Sequence, residues 1–191
     1  LPLHITKIHD LAFSYCYQLK KIEFTEYSEV VSIGSQAFSN SYLESLNIPS
    51  KVVEIKDGWF SMGNLKEITV SSQNKKFSNY KGQFIIEKSD IKSDIFDILA
   101  VAPRNIKNVK IPRFIRRIDN YAFHLCNQLQ KVEFSKNSEL SSIGEYSFSL
   151  SSIKTVCLPS NVTCINGFAF FECSRLNNIE FCENSKLISI N

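Results

Sequence analysis

The sequence predicts a solenoid of α/β or mainly-β class, a single domain built from stacked repeats of 22–25 residues. Three observations predict it. "TKIHDLAFSYCYQLKKIEF" (6–24) and "RRIDNYAFHLCNQLQKVEF" (116–134) keep Ile, Ala-Phe, Cys, Gln-Leu, Lys, Glu and Phe at the same offsets, 110 residues apart. A marker isoleucine recurs at Ile8, Ile33, Ile55, Ile118, Ile143, Ile165 and Ile190, with spacings of 25 and 22 interrupted by one of 63. The apolar residues around each marker then fall into columns, the signature of a repeat array.

Within a repeat the elements follow in order. Three residues before the markers stand Ile5, Val30, Val52, Ile115, Leu140, Val162 and Leu187. Five residues after the first six stand Phe13, Phe38, Phe60, Phe123, Phe148 and Phe170, usually preceded by Ala or Ser. This Ala-Phe phrase is too short for a long helix, and a short helical turn or an irregular arc is expected there. Next comes "L-x-x-I-x-F" or a near variant, as in Leu19-Ile22-Phe24 and Leu129-Val132-Phe134. Its alternation of apolar and polar positions has the period of a half-buried strand. Shorter units then turn through a proline ("IPSKVVEI", "IPRFIRRI", "LPSNVTCI"), which lacks an N–H and ends the ladder. Longer units use a wider polar turn ("FSKNSELSSI"). One strand and one arc cannot bury their apolar edge alone, so each repeat needs its neighbours. The chain opens in the tail of one unit and stops at the head of another, so it reads as a segment of a longer array.

Residues 71–105 break the rhythm. "GQFIIEK" (82–88) and "FDILAVAP" (96–103), separated by "SDIKSDI", read as a β-hairpin insertion projecting from the third unit. The array is expected to resume at Ile106-Val109-Ile111.

Composition excludes several functions. Apolar residues make up 43% and charged residues 21%, with a net charge of +3, too mild for a nucleic-acid partner. No apolar run approaches the ~20 residues that span a bilayer, so no direct membrane insertion of this segment is expected. No nucleophile elbow, phosphate loop, zinc motif or paired-carboxylate phrase is present, and neither an enzyme nor a cofactor or metal is expected. The six cysteines contain no C-x-x-C pair, and the three histidines share no ligand spacing with them. Cys16, Cys126 and Cys173 share a column but lie in non-adjacent units, too far apart to bridge. Free thiols are expected, which weighs modestly against an oxidising exterior.

The phrases "SIGSQAFSNSYLESLNIPS" and "TCINGFAFFECSRLNNIEF" resemble the BspA-like, or Treponema pallidum-type, leucine-rich repeat, whose consensus is similar to I-x-x-x-A-F-x-x-C-x-x-L-x-x-I-x-I-P. The resemblance covers residues 1–70 and 104–191, and "SQNKKFSNYKGQFII" resembles the family's N-x-x-F-S-x-x-x-G insertion. It implies a right-handed superhelix with a strand-lined concave face. It also implies a cell-surface or secreted protein used for adhesion or partner recognition, with a protein or glycan as ligand. An intracellular, cytoplasmic scaffold and a regulatory repeat region of a larger enzyme are the alternatives.

Two groups of residues are candidate binding sites. The outward strand positions carry Lys21, Glu23, Glu67, Lys110, Lys131, Glu133 and Glu180, a nearly neutral strip without aromatic anchors. Arg104, Arg113, Arg116 and Arg117 cluster beside the insertion and suit an anionic ligand, because guanidinium forks match carboxylate, phosphate and sulfate. Asn161-Val162-Thr163 is an N-glycosylation sequon.

Overall fold

The computed structural model describes residues 1–191 as a stack of coils. Each marker lies in a two-residue strand: Lys7–Ile8, Ser32–Ile33, Glu54–Ile55, Arg117–Ile118, Ser142–Ile143, Cys164–Ile165 and Ser189–Ile190. These strands pair in parallel, marker on marker, so that Ile33 meets Ile8 on one side and Ile55 on the other. Ile118, Ile143, Ile165 and Ile190 continue the same way. The "L-x-x-I-x-F" phrases form four-residue strands: Ser45–Ile48, Glu67–Val70, Asn108–Ile111, Lys131–Phe134, Thr155–Leu158 and Asn178–Phe181. They pair in parallel two by two. Within the others, though not within Asn178–Phe181, more and less buried residues alternate, because one face meets the core and the other meets water.

The expected helical turn does not form, and the chain contains no helix. The arc holds a left-handed residue at two places four positions apart: Leu11 and Tyr15, Gln36 and Asn40, Tyr121 and Leu125, Tyr146 and Leu150, Phe168 and Glu172. A right-handed helix admits no such interruption. Hydrogen bonding gives the reason. Phe13 N–H donates to Ala37 O at 2.8 Å and Tyr15 N–H to Ser39 O at 2.9 Å, both on the next coil. Ser14 N–H, between them, donates locally to Leu11 O at 2.9 Å. A helix would close every bond within itself; the arc directs alternate N–H groups to its neighbour and so stitches the stack together.

The phenylalanine column stacks ring on ring. Phe13 and Phe38 lie 5.4 Å apart, Phe123 and Phe148 5.0 Å, and Phe148 and Phe170 5.4 Å, with planes within 5°. Ala37, Ala122 and Ser147 are fully buried beside them, where a larger side chain would push the coils apart. Two glycines allow an equally close approach just past the marker. A Cβ on Gly34 would lie 2.4 Å from the Asp10 nitrogen, and one on Gly144 would lie 2.6 Å from the Asn120 nitrogen. The crowding arises because Asp10 and Asn120 fold over the next coil, where their Oδ1 atoms accept from Ser35 N–H at 2.9 Å and Glu145 N–H at 2.7 Å.

The insertion has three antiparallel strands, Phe77–Tyr80, Phe84–Glu87 and Ile98–Val101. Asn74 anchors its start. Its amide donates to Pro49 O and Val52 O, and its carbonyl accepts from Lys76 N–H and Phe77 N–H, all within 3.0 Å. The insertion does not project. Phe84, Ile85 and Leu99 are fully buried, and Ile98–Val101 joins the parallel wall with Leu99 opposite Ile118. Leu99 is therefore an eighth marker, and the array resumes there rather than at Ile106.

The coil that starts at Leu99 is short. Seven residues separate Leu99 from Ile106, against eleven between Ile118 and Leu129, and no Ala-Phe phrase fits between them. Arg104 fills the space. It is 4% exposed, with its guanidinium 5.7 Å over the Phe60 ring. It donates to Phe60 O at 2.9 Å and Ala102 O at 3.4 Å, while its Nε has no partner. Arg104 thus lies inside the fold and not in the expected basic surface patch. The core correspondingly splits into two clusters, one containing Phe38, Phe60 and Leu65 and the other Leu99, Phe123 and Phe148.

Candidate functional site: the long-strand face

The four-residue strands turn one set of side chains outward, and two open grooves lie along them. The first groove is lined by Lys21, Glu23, Ser45, Asn47, Glu67 and Thr69. The second, about 690 Å³, includes Lys110, Lys131, Glu133, Thr155, Cys157 and Asn161. Strand alternation aims these side chains at solvent while Val109, Val132 and Val156 point into the core. Parallel pairing sets Lys131 beside Asn108 and Glu133 beside Lys110.

Four of the charges on this face pair along their own strand. Lys21 Nζ lies 2.7 Å from Glu23 Oε1, and Lys131 pairs with Glu133 in the same way. The hydrogen bond from Lys21 pulls the Glu23 carboxyl below its ordinary range, and Lys131 does the same to Glu133. Asn47 donates to Thr69 Oγ1 at 2.7 Å, and Asn178 to Glu180 Oε1 at 2.9 Å. The result is a strip of water-exposed polar groups on a paired backbone, and, against the expectation of a strip without aromatics, the half-buried Phe24 and Phe134 border its two grooves. Such a surface can offer both signs of charge and many hydrogen-bond partners, with one ring edge at the margin of each groove.

The other three arginines of the predicted cluster, Arg113, Arg116 and Arg117, are paired. Glu139 receives Arg113 and Arg116, each at 3.4 Å, and Arg117 lies 3.2 Å from Asp119. Each thus already has a carboxylate neighbour. The sequon Asn161 is likewise engaged: its amide donates to Ser138 O at 2.8 Å and its carbonyl accepts from Lys186 at 2.9 Å.

The two halves meet at a polar seam. Asn120 donates to Asp57 Oδ2 at 2.9 Å across it, beside a cavity of about 20 Å³ bordered by Trp59, Phe77, Glu87 and Asp119. Burial first, then Glu87 and Asp57, push the Asp119 carboxyl up to about 6, against the pull of Arg117. His124, buried near Arg104, is pushed down to about 4, mainly by burial.

All six cysteines are free. Cys126 and Cys173 are buried and donate to Pro103 O and Phe148 O. Cys157 and Cys182, in contrast, are exposed and line the same groove. Counting from the markers hides this neighbourhood, since Cys157 lies 14 residues past Ile143 and Cys182 lies 17 past Ile165.

Comparison with known proteins agrees with this geometry. The family model of the BspA type leucine rich repeat region matches residues 1–102 and 89–191, in six copies. The chain belongs to the BspA-type leucine-rich repeat family. Solved leucine-rich repeat structures share its fold. The pneumococcal vaccine antigen PcpA superposes with a TM-score of 0.78 at 22% identity, over 96% of this chain and 50% of that one. A leucine-rich cell surface protein of Faecalibacterium prausnitzii gives 0.70 at 24% identity, over 99% of this chain and 62% of that one. A leucine-rich repeat protein of Bacteroides ovatus gives 0.58 at 20%, over 100% and 55%. The chain thus spans between half and two thirds of these structures. No curated protein matches it. No helix is long and apolar enough to cross a membrane.

Proposed function

We propose that this BspA-type array is a non-enzymatic binding module of a cell-surface or secreted protein, and that it recognises a protein or glycan ligand through its long-strand face. The observation that carries the reading is the second groove, where Lys110, Lys131, Glu133 and Thr155 project from rigid strands whose alternate residues are locked in the core. A ligand bound there meets preorganised groups, so little side-chain order has to be created on binding. The lysines and glutamate of this groove favour a polar ligand that answers both signs of charge, such as an exposed loop of a protein. The surface origin of one of the similar structures supports the location, and the name of PcpA as a vaccine antigen is consistent with it.

The test uses immobilised neutral and sulfated glycans together with purified extracellular-matrix proteins. The double variant Lys110→Glu/Lys131→Glu should reduce binding at least tenfold, whereas Glu172→Lys on the arc should leave it unchanged. Loss of binding confined to the arc variant would place the ligand on the other side of the coil and contradict the proposal.

A further inference from the structure

Three rings crowd one exposed corner of the first coils. Tyr15 and Tyr17 lie 6.0 Å apart, and Tyr17 and Tyr42 6.2 Å, both pairs edge to face. They are 60%, 54% and 57% exposed. The repeat does not require them. Nine residues past the marker stand Tyr17 and Tyr42 in the first half, but Asn127, Ser152 and Ser174 in the second. Rings that a fold neither buries nor needs, grouped in one place, mark a binding surface.

Tyr17 and Tyr42 line a groove of about 340 Å³ together with Asn40, Met62 and Asn64, and no lining residue is charged. Close packing of two coils sets its floor. Ser41 and Gly63 pair in parallel, so the residues that follow them, Tyr42 and Asn64, stand side by side on neighbouring coils. A Cβ on Gly63 would lie 2.5 Å from the buried Phe60 ring and 3.0 Å from Ser41 O, so glycine permits this approach. Asn40 N–H donates to Met62 O, but Met62 N–H has no backbone acceptor in turn, because the short coil from Leu99 to Ile106 brings no arc against it. The groove thus keeps an open edge within the array. A coil stacked before Lys7–Ile8 would lie on the far side of Tyr17 and leave this edge untouched.

These groups match a neutral sugar. A pyranose has a face of C–H groups, which rests on an aromatic ring, and a rim of hydroxyls, which both donate and accept. An edge-to-face contact covers only one ring face, so Tyr17 and Tyr42 keep faces open to a ligand. Asn40 and Asn64 each carry an amide that donates and accepts, and Asn40 donates only to Ser39 Oγ, at 3.3 Å. Met62 N–H adds a free donor at the edge. A charged ligand would meet no counter-charge on the lining, and an apolar peptide would leave the amides unanswered. We propose that this groove is a saccharide site that takes a neutral hexose or N-acetylhexosamine unit of a glycan. It is separate from the long-strand face and from the ligand which that face takes.

The experiment titrates isotope-labelled protein with maltotetraose, cellotetraose and chitotetraose in turn, up to about 10 mM, and follows the amides by NMR. At least one sugar should shift residues 40–42 and 62–64 and leave residues 152–156 in place. For that sugar Tyr42→Ala should weaken binding at least tenfold and Asn64→Ala at least threefold. Tyr42→Phe, which keeps the ring, should stay within threefold of the wild type. Ser152→Ala, in the same column of the second half, should change nothing. These side chains are outside the core, and unshifted amides away from the groove show that each variant keeps the fold. Three sugars that move no amide of the groove would overturn the proposal. So would binding that survives Tyr42→Ala, or that is lost in Lys131→Glu instead. Shifts in the groove caused by a proline-rich decapeptide and by no sugar would make it a peptide site and overturn the saccharide.

Discussion

One column of the molecule is built in two ways. From Phe123 through Phe148 to Phe170 the rings lie face to face, each on the next coil. Between Phe60 and Phe123 the same column passes through a guanidinium, because the intervening coil is too short to hold an Ala-Phe phrase. The comparison shows what a repeat supplies. Equal arc lengths bring equivalent side chains into register, and dispersion and burial then hold them without further specification. Where the insertion shortens an arc, one long side chain must reach into the space and answer an exposed carbonyl. Arg104 does both, and the cost is a buried charge without a carboxylate partner.

The largest effect should come from breaking the regular part. Phe148→Ala removes a fully buried ring that contacts rings on both sides, and urea denaturation should show a loss of about 3–5 kcal/mol. Breaking the irregular part should cost less and depend on what replaces the arginine. Arg104→Ala leaves a cavity and an unanswered Phe60 carbonyl, for about 2–3 kcal/mol. Arg104→Met keeps most of the volume and removes the buried charge, and should fall within about 1 kcal/mol of the wild type. If methionine were as damaging as alanine, the hydrogen bond to Phe60, and not the filling of space, would be the role of Arg104.

The seam between the two parts responds to pH in a way the ladders do not. The Asp119 carboxyl titrates near 6 in the folded chain and near 3.8 when unfolded, so the folded state holds the extra proton between these values. This group's contribution therefore declines as pH rises from about 4 to 6 and stays low above that. Asp119→Asn should remove the decline and raise stability at pH 7.5 by about 1–2 kcal/mol, seen in denaturation curves at pH 4.5, 6 and 7.5. His124 acts in the opposite direction: folding keeps it neutral to about 4, so stability falls as pH drops below about 6.5. With the asparagine variant in place, that fall should stand alone.

The smallest effect should come from the long-strand face. Lys131 and Glu133 are 67% and 47% exposed, and removing both should change stability by less than about 1 kcal/mol. A surface that can be altered so cheaply is free to vary with its ligand.

The solenoid was legible because its signal is periodic: seven markers and the Phe column align without any structural input. Leu99 escaped because no Ala-Phe phrase follows it. The arcs were open to a helical reading because most of their left-handed positions are occupied by Leu, Tyr, Gln, Phe and Glu, and only Asn40 and Gly58 give the usual asparagine or glycine warning. Strand alternation correctly exposed Lys21, Glu67, Lys110, Lys131, Glu133 and Glu180, since a period of two assigns faces directly. Arg104 looked like its neighbours Arg113, Arg116 and Arg117 because charge is visible in a sequence, whereas the length of the coil that buries it is not.

The most direct measurement of the account is a set of double-mutant cycles with Phe→Leu, which keeps the chain folded while removing the stacked ring. Phe123 with Phe148, and Phe148 with Phe170, should show coupling of about 0.5–1.5 kcal/mol, and Phe60 with Phe123 none. Additive losses within the two stacked pairs, or equal coupling between Phe60 and Phe123, would mean that the rings do not form the interrupted column on which this description rests.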